Sequence, residues 1–235
     1  MTKLKLSGVS KAYGATLALR RGDLELETGE VHVLIGANGS GKSTLCKIVA
    51  GSVRPDAGEV LLDGQAVTVS GPRAAQALGI GIFYQELSLA DHRSVAENIC
   101  LPDLPRKNGF FVDHEALLEK AGRYIALFET VAGAELNAET TVGDLRADQR
   151  QLVEIMKALA TEAPVLIFDE PTSALDRAQV DRFFEILRGL KEDGRSIVFI
   201  SHRMDEIFAI GNRVTVIRDG ETVGTEAIAD TSLKR

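Results

Sequence analysis

The sequence predicts an α/β fold. Its parts are a core of buried parallel strands and helices, an antiparallel β layer near the N-terminus, and a helical subdomain over about residues 86–163. Three observations lead there. The runs "VHVLI", "VLIF" and "SIVFI" are apolar without alternation, as strands covered on both faces are. The N-terminal segments alternate apolar and polar with period two. The central region carries apolar residues at helical spacing instead.

The N-terminal segments "KLKLSGV", "DLELETGEV" and "EVLLDGQAVTV" supply the antiparallel layer, with "DGQ" at 63–65 as a turn. "VHVLI" at 31–35 is a core strand, and "KSTLCKIVAG" after it is a helix with Gly51 as its C-cap. Asp113 is a good N-cap for "HEALLEKAGRYIALFETV". In "DQRQLVEIMKALA", Leu152, Ile155, Met156 and Leu159 share one face, and Pro164 is expected to end that helix. "LPDLPRKNG" and "AELNAETTVGD" read as loops. "PVLIFDE" resumes the core. Val180, Phe183, Phe184 and Leu187 form the apolar side of a further helix, "RSIVFISH" is another buried strand, and "RVTVIRDGETVGT" is a hairpin over Asp219-Gly220. One domain over residues 1–235 accommodates all of this.

Bulk properties exclude several classes. A net charge of −7 argues against broad nucleic-acid binding, which shows a strongly basic face. Cys46 and Cys100, the two cysteines, form no CxxC and no metal cluster, so buried free thiols are expected. No apolar run approaches the roughly 20 residues of a spanning helix, and the N-terminus lacks the apolar core of a signal peptide. A cytoplasmic location follows as an expectation, with any membrane work done through a partner.

The chemistry begins at "GANGSGKST". Residues 36–43 fit G-x-x-x-x-G-K-[ST] without a gap. Glycines let successive amides turn inward around an anion, and the helix start behind them adds partial positive charge. Gly36, Ala37, Asn38, Gly39, Ser40, Gly41, Lys42, Ser43 and Thr44 are therefore the candidate nucleotide-binding loop. Lys42 is placed for the β and γ phosphates and Ser43 for Mg²⁺. "VLIFDE" ends a buried strand on two carboxylates: Asp169 suits the Mg²⁺ shell and Glu170 the attacking water. A strand-end capping pair is the competing reading. His202 follows "SIVFIS". It is a solvated loop residue unless parallel pairing brings that strand's end beside Asp169. His32, His92 and His114 read as structural.

With these motifs in hand, the chain resembles an ATP-binding cassette nucleotide-binding domain over essentially its whole length. "KAYG" places Tyr13 where that family stacks a ring on adenine. "FYQELSL" places Gln85 at the loop that senses Mg²⁺ and the γ-phosphate. "SALD", Ser173–Asp176, matches the loop crossing the dimer interface, and "ISHRMDEIF" supplies His202 as the switch histidine. The resemblance thus implies Glu170, His202, Gln85 and Lys42 as catalytic residues and Ser43, Gln85 and Asp169 around the metal. "YQELSL", "SVAENI", "QLVEIMKALA", "DEPTSALD" and "RVTVIRDG" are similar to bacterial ABC importers of simple sugars of the ribose and galactose type. That likeness implies ATP hydrolysis with Mg²⁺, a second cassette (a tandem half or another copy), and integral membrane permease subunits touching residues about 85–98. It also implies a periplasmic sugar-binding protein acting indirectly, and a position at the inner face of the cell membrane. Two alternatives stand beside it: a soluble ATPase of the same type, and an ATP-binding module with weak hydrolysis.

One departure matters. The family's LSGGQ signature reads "LRADQ" at 145–149, with Arg146 for the serine and Ala147 and Asp148 for the glycines. The family points that helix start at a γ-phosphate held by the other cassette. A bare carboxylate at about 4 Å, with an effective dielectric near 20, implies repulsion on the order of 4 kcal/mol. Arg146, binding a phosphate oxygen itself, would offset part of this. A poor trans partner is expected, unless a tilt of the helix absorbs the change.

Overall fold

The computed structural model describes residues 2–230. Met1 and residues 231–235, at the ends of the predicted 1–235 domain, lie outside the described residues. In chain order the elements are β1 (Thr2–Tyr13), β2 (Thr16–Glu27), β3 (Val31–Ile35), α1 (Lys42–Val49), β4 (Ala57–Leu62), β5 (Gln65–Ala66), α2 (Pro72–Ala77) and β6 (Ile80–Phe83). Then follow α3 (Val95–Cys100), β7 (Arg106–Lys107), β8 (Phe111–Val112), α4 (His114–Ala126), α5 (Glu129–Ala132), α6 (Ala147–Leu159), β9 (Val165–Asp169) and α7 (Arg177–Glu192). β10 (Ser196–Ile200), α8 (Met204–Ile210), β11 (Arg213–Arg218) and β12 (Glu221–Ala227) complete the chain. The fold divides into two compact units. One holds residues up to 82, 163–170 and from 187 on; the other holds 83–162 and 171–186.

The first unit is organised by a ten-stranded sheet in the order β5-β4-β1-β2-β12-β11-β3-β10-β9-β6. The expected antiparallel layer is therefore not separate. β1 pairs antiparallel with β2 and β4, and β2 joins the rest through β12. At the centre, β10 runs parallel between β3 and β9, and every residue of β9 and β10 is buried. That explains their unbroken apolar runs. Leu4, Leu6, Leu26, Leu34, Leu45, Ile48, Ile167 and Ile200 meet in one core cluster. β11 and β12 form the expected hairpin, with Asp219 and Gly220 at φ 53° and 80°, the doubly left-handed turn that such a dipeptide favours.

His32 has the structural role expected of it. It is fully buried, with Nε2 2.6 Å from Thr215 Oγ1 and Nδ1 3.2 Å from Glu30 Oε1. Burial alone pushes the Glu30 carboxyl up. Hydrogen bonds from His32 and the Glu27 amide, with the Arg213 charge, outweigh it and hold the group below its usual range.

In the second unit, α3 packs on α4 and α6. Asp113 caps α4 as expected, accepting from the Ala116 amide at 3.2 Å. The helical run read as continuous through residue 131 breaks instead at Leu127, with α5 a separate single turn. α6 ends at Leu159, before Pro164. The chain turns earlier because Glu162 adopts φ 53°, where a helix cannot continue. The segment read as a loop at 101–109 contains half of a hairpin: Lys107 pairs with Phe111 around Asn108-Gly109, at φ 55° and 77°.

Replacing the Asp113 cap with alanine is expected to cost about 1 kcal/mol. Urea unfolding of Asp113→Ala should show a lower midpoint at unchanged slope.

Candidate nucleotide-binding site

β3 ends at Ile35, and the chain enters the glycine loop before α1 begins at Lys42. Two glycines are required by space. A methyl on Gly36 would lie 2.2 Å from the Ile217 carbonyl, and one on Gly41 would lie 2.9 Å from the Ala18 carbonyl at φ 108°. Gly39, at φ 79°, has open space around it. The loop folds back over Lys42, which is 7% exposed and donates to the carbonyls of Gly36 at 2.8 Å and Ala37 at 3.1 Å. Ala37, Asn38 and Gly39 are exposed, and Ser43 and Thr44 are half-buried. Ser40 Oγ is buried beside this loop with no hydrogen-bond partner. A buried ammonium hydrogen-bonded to its own loop's carbonyls, next to an orphaned hydroxyl, fits a site built for an anion.

The parallel register brings the other predicted groups to the same edge. Ile200 stands opposite both Leu34 and Asp169, so β3, β9 and β10 end together. Asp169 is buried and takes a hydrogen bond from Ser43. Burial pushes its carboxyl above the usual range, the Ser43 hydroxyl pulls it partly back, and the neighbouring Glu170 pushes it up again. Glu170 sits at φ 52°, with its amide donating to Ile200 O at 3.1 Å. His202 Nδ1 lies 3.4 Å from Glu170 Oε1. The condition set for His202 is thus met: strand pairing carries it beside the acidic pair, although its side chain is 66% exposed. Among the described residues no three His, Cys, Asp or Glu side chains cluster as metal ligands. Ser43 with Asp169 is instead a small oxygen pair of the kind Mg²⁺ uses when phosphate and water supply the rest. The residues fit both groups.

Tyr13, at the end of β1, is 47% exposed, with Lys11 Nζ 6.0 Å from its ring centre. Gln85 belongs to the second unit and lies exposed in the loop after β6. Its role rests on the resemblance alone. Cys46 and Cys100 are buried free thiols, as expected. Burial and the nearby Asp169 drive the Cys46 thiol up, which keeps it inert.

Also in the second unit, the "LRADQ" segment changes the electrostatic expectation. Asp148 is not a bare carboxylate. It accepts from Arg146 Nε at 3.2 Å and Nη2 at 3.3 Å, and from Gln179 Nε2 at 3.0 Å. Partial burial opposes its ionisation, yet these bonds hold its carboxyl below the usual range. Arg146 also donates to Glu135 at 2.6 Å, and its amide donates to Gln149 Oε1 at 3.1 Å. The repulsion expected from the sequence took Asp148 as unpaired; Arg146 bonds Asp148 itself, and it and Gln179 spread the charge. Gln179 was not singled out there. Its only sequence signal is its place three residues after Asp176, with which it forms a reciprocal cap.

Comparison with known proteins now decides the family. The sequence profile of the ABC transporter family matches residues 19–173. The chain belongs to that family. It is 47% identical over 232 residues to a protein of Burkholderia cenocepacia named for import of ribose, galactose and methyl galactoside, covering 98% of this chain and 44% of that one. It is 40% identical over 233 residues to the ribose import ATP-binding protein RbsA of Lacticaseibacillus paracasei, covering 99% and 46%. The chain therefore spans about half the length of the curated relatives it matches. Among solved structures it superposes on a dimeric bacterial ABC transporter cassette with a TM-score of 0.85 at 27% identity, covering 96% of this chain and 98% of that one. A dimeric cassette in a post-hydrolysis state, bound to ADP and Pi, gives 0.84 at 27% identity, with the same coverage.

Asp169 carries a testable cost. Its raised value means that ionising it destabilises the fold. The penalty is absent below the unfolded-state value and complete above the folded one. Asp169→Asn should therefore raise the melting temperature of the nucleotide-free chain by a few degrees at neutral pH, since about 1 kcal/mol moves it by about 2–4 °C at this size. The gain should vanish as pH falls below the ordinary carboxylate range.

Proposed function

We propose that the chain binds ATP with Mg²⁺ in the 36–44 loop and hydrolyses it, and that hydrolysis drives import of a simple sugar through integral membrane subunits. The observation that carries this reading is the common end of β3, β9 and β10. It gathers Lys42, Ser43, Asp169, Glu170 and His202 on one edge. Open α/β sheets hold ligands at such strand ends.

The roles follow from chemistry and place. Loop amides and Lys42 hold the phosphate tail. Ser43 and Asp169 hold the cation, which neutralises phosphate charge. Glu170 orients the water or takes its proton, and His202 lies within reach of Glu170. Tyr13 stacks on the base, and Gln85 senses metal and phosphate. The relatives' names support import of ribose- or galactose-like sugars. No helix among the described residues is long and apolar enough to cross a membrane. The membrane subunits of this proposal are contacted around residues 85–98. A second cassette and an extracytoplasmic sugar-binding protein complete the proposed assembly, at the inner face of the membrane.

A second reading, an ATP-binding module with weak hydrolysis, is favoured by the altered "LRADQ" segment. The two separate in one experiment. Calorimetry with Mg²⁺ and ATP should register heat that disappears in Lys42→Ala. Phosphate release by the complete protein should fall about 10²–10⁴-fold in Glu170→Gln while ATP binding persists. Equal release rates would remove Glu170 from its role.

A further inference from the structure

Within the first unit, the chain leaves β10 through Ser201, His202 and Arg203 before α8 begins at Met204. Burial changes from residue to residue there. Ser201 is buried, the His202 side chain is exposed, and Glu206, in the first turn of α8, is 1% exposed. A carboxylate buried so deeply is costly unless it is paired and hydrogen-bonded. Glu206 is both. Its Oε2 accepts from Ser201 Oγ at 2.6 Å, and its Oε1 lies 3.1 Å from Arg203 Nη1. Ser201 Oγ in turn accepts from the Arg203 amide at 3.1 Å.

The arrangement is a helix cap with a detour. In the usual reciprocal cap, an acid three residues into the helix accepts directly from the N-cap amide. Here Arg203 is the N-cap, its side chain makes no cap bond, and Glu206 reaches its amide through the Ser201 hydroxyl. Satisfying the helix start needs no such route. Its effect is to tie down the residues on both sides of His202 with one carboxylate. That carboxylate is itself anchored, because the next residue, Ile207, packs in a cluster with Val33, Val214 and Ile228. Val33 lies on β3, the strand that leads into the glycine loop. Glu206 therefore ties His202 to the scaffold that carries the loop.

We propose that Glu206 is a positioning residue for His202. By holding Ser201 and Arg203 it fixes the turn between them, which keeps His202 Nδ1 at 3.4 Å from Glu170 Oε1. This rests on the hydrolysis reading above and adds to it a residue that acts only through its neighbour.

The test uses the full-length protein with ATP and Mg²⁺. Phosphate release and ATP binding are measured for Ser201→Ala, Glu206→Leu and Glu206→Gln, each with His202 present and with His202→Ala. With His202 present, kcat should fall about tenfold or more in Ser201→Ala and Glu206→Leu, while KM and ATP binding stay within about twofold. Glu206→Gln should recover part of the loss, since its amide oxygen still accepts from Ser201. In the His202→Ala background no further loss is expected, because effects exerted through one group do not add. Histidine-selective NMR reads the position directly. The His202 imidazole signal, assigned by its absence in His202→Ala, should shift or broaden in Ser201→Ala and Glu206→Leu while that of buried His32 stays in place. Ser201→Ala removes a single oxygen and decides the matter should Glu206→Leu fail to fold. An unchanged kcat, an equal loss in both backgrounds, a His202→Ala protein as active as wild type, or an unmoved His202 signal would overturn the positioning role and leave hydrolysis standing. A wild-type protein that binds ATP and releases no phosphate would overturn the hydrolysis reading, and this role with it.

Discussion

Parallel pairing of three buried strands is the constraint on which the first unit depends. Leu34, Ile200 and Asp169 stand in one row across β3, β10 and β9. A slip of one residue would send Asp169 to the opposite face of the sheet and withdraw its carboxylate from Ser43. The register is held by what it buries. Both faces of β9 and β10 are covered, so any slip would exchange packed apolar contacts along the whole strand. Chemistry at the edge is therefore positioned by packing in the middle. Glu170 adds a local lock, its amide tied to the Ile200 carbonyl.

Buried polar groups are met differently in different parts of the fold. Glu30, His32, Arg213 and Thr215 are linked in one chain of hydrogen bonds that runs on to Glu27 and Thr225. Glu154 in the second unit is equally well served, receiving Ser88 Oγ at 2.9 Å and Lys157 Nζ at 3.2 Å. Near the glycine loop the accounting differs. Ser40 Oγ has no partner, and Asp169 is held buried against its preference for water. Incomplete satisfaction of this kind is costly; Ser196 Oγ at the start of β10 is also without a partner, so the loop is marked by the orphaned hydroxyl together with the buried Lys42 and Asp169.

Much of this was legible beforehand, for identifiable reasons. The buried strands announced themselves by unbroken apolar runs, the Asp219-Gly220 turn by its dipeptide, and the glycine loop by fixed spacing. What escaped depended on distant partners or on single backbone angles. Union of the two sheet portions runs through one β2–β12 pair, Arg21 with Glu221, which no local pattern encodes. The end of α6 turns on the dihedral of Glu162, so Pro164 was a false stop. Asn108-Gly109 did carry a hairpin signal, masked by two flanking prolines and by strands only two residues long. The shielding of Asp148 needed Gln179, 31 positions away in the chain.

Glu170 occupies a left-handed backbone angle that glycine or asparagine would adopt with less strain. Under the proposed role of Glu170, thermostability and turnover thus pull in opposite directions at this position. A selection that scores only the folded state should drift toward a smaller residue here. With the role proposed for Glu170, the resulting protein would be sturdier and idle in hydrolysis, its left-handed angle relaxed and its acid gone.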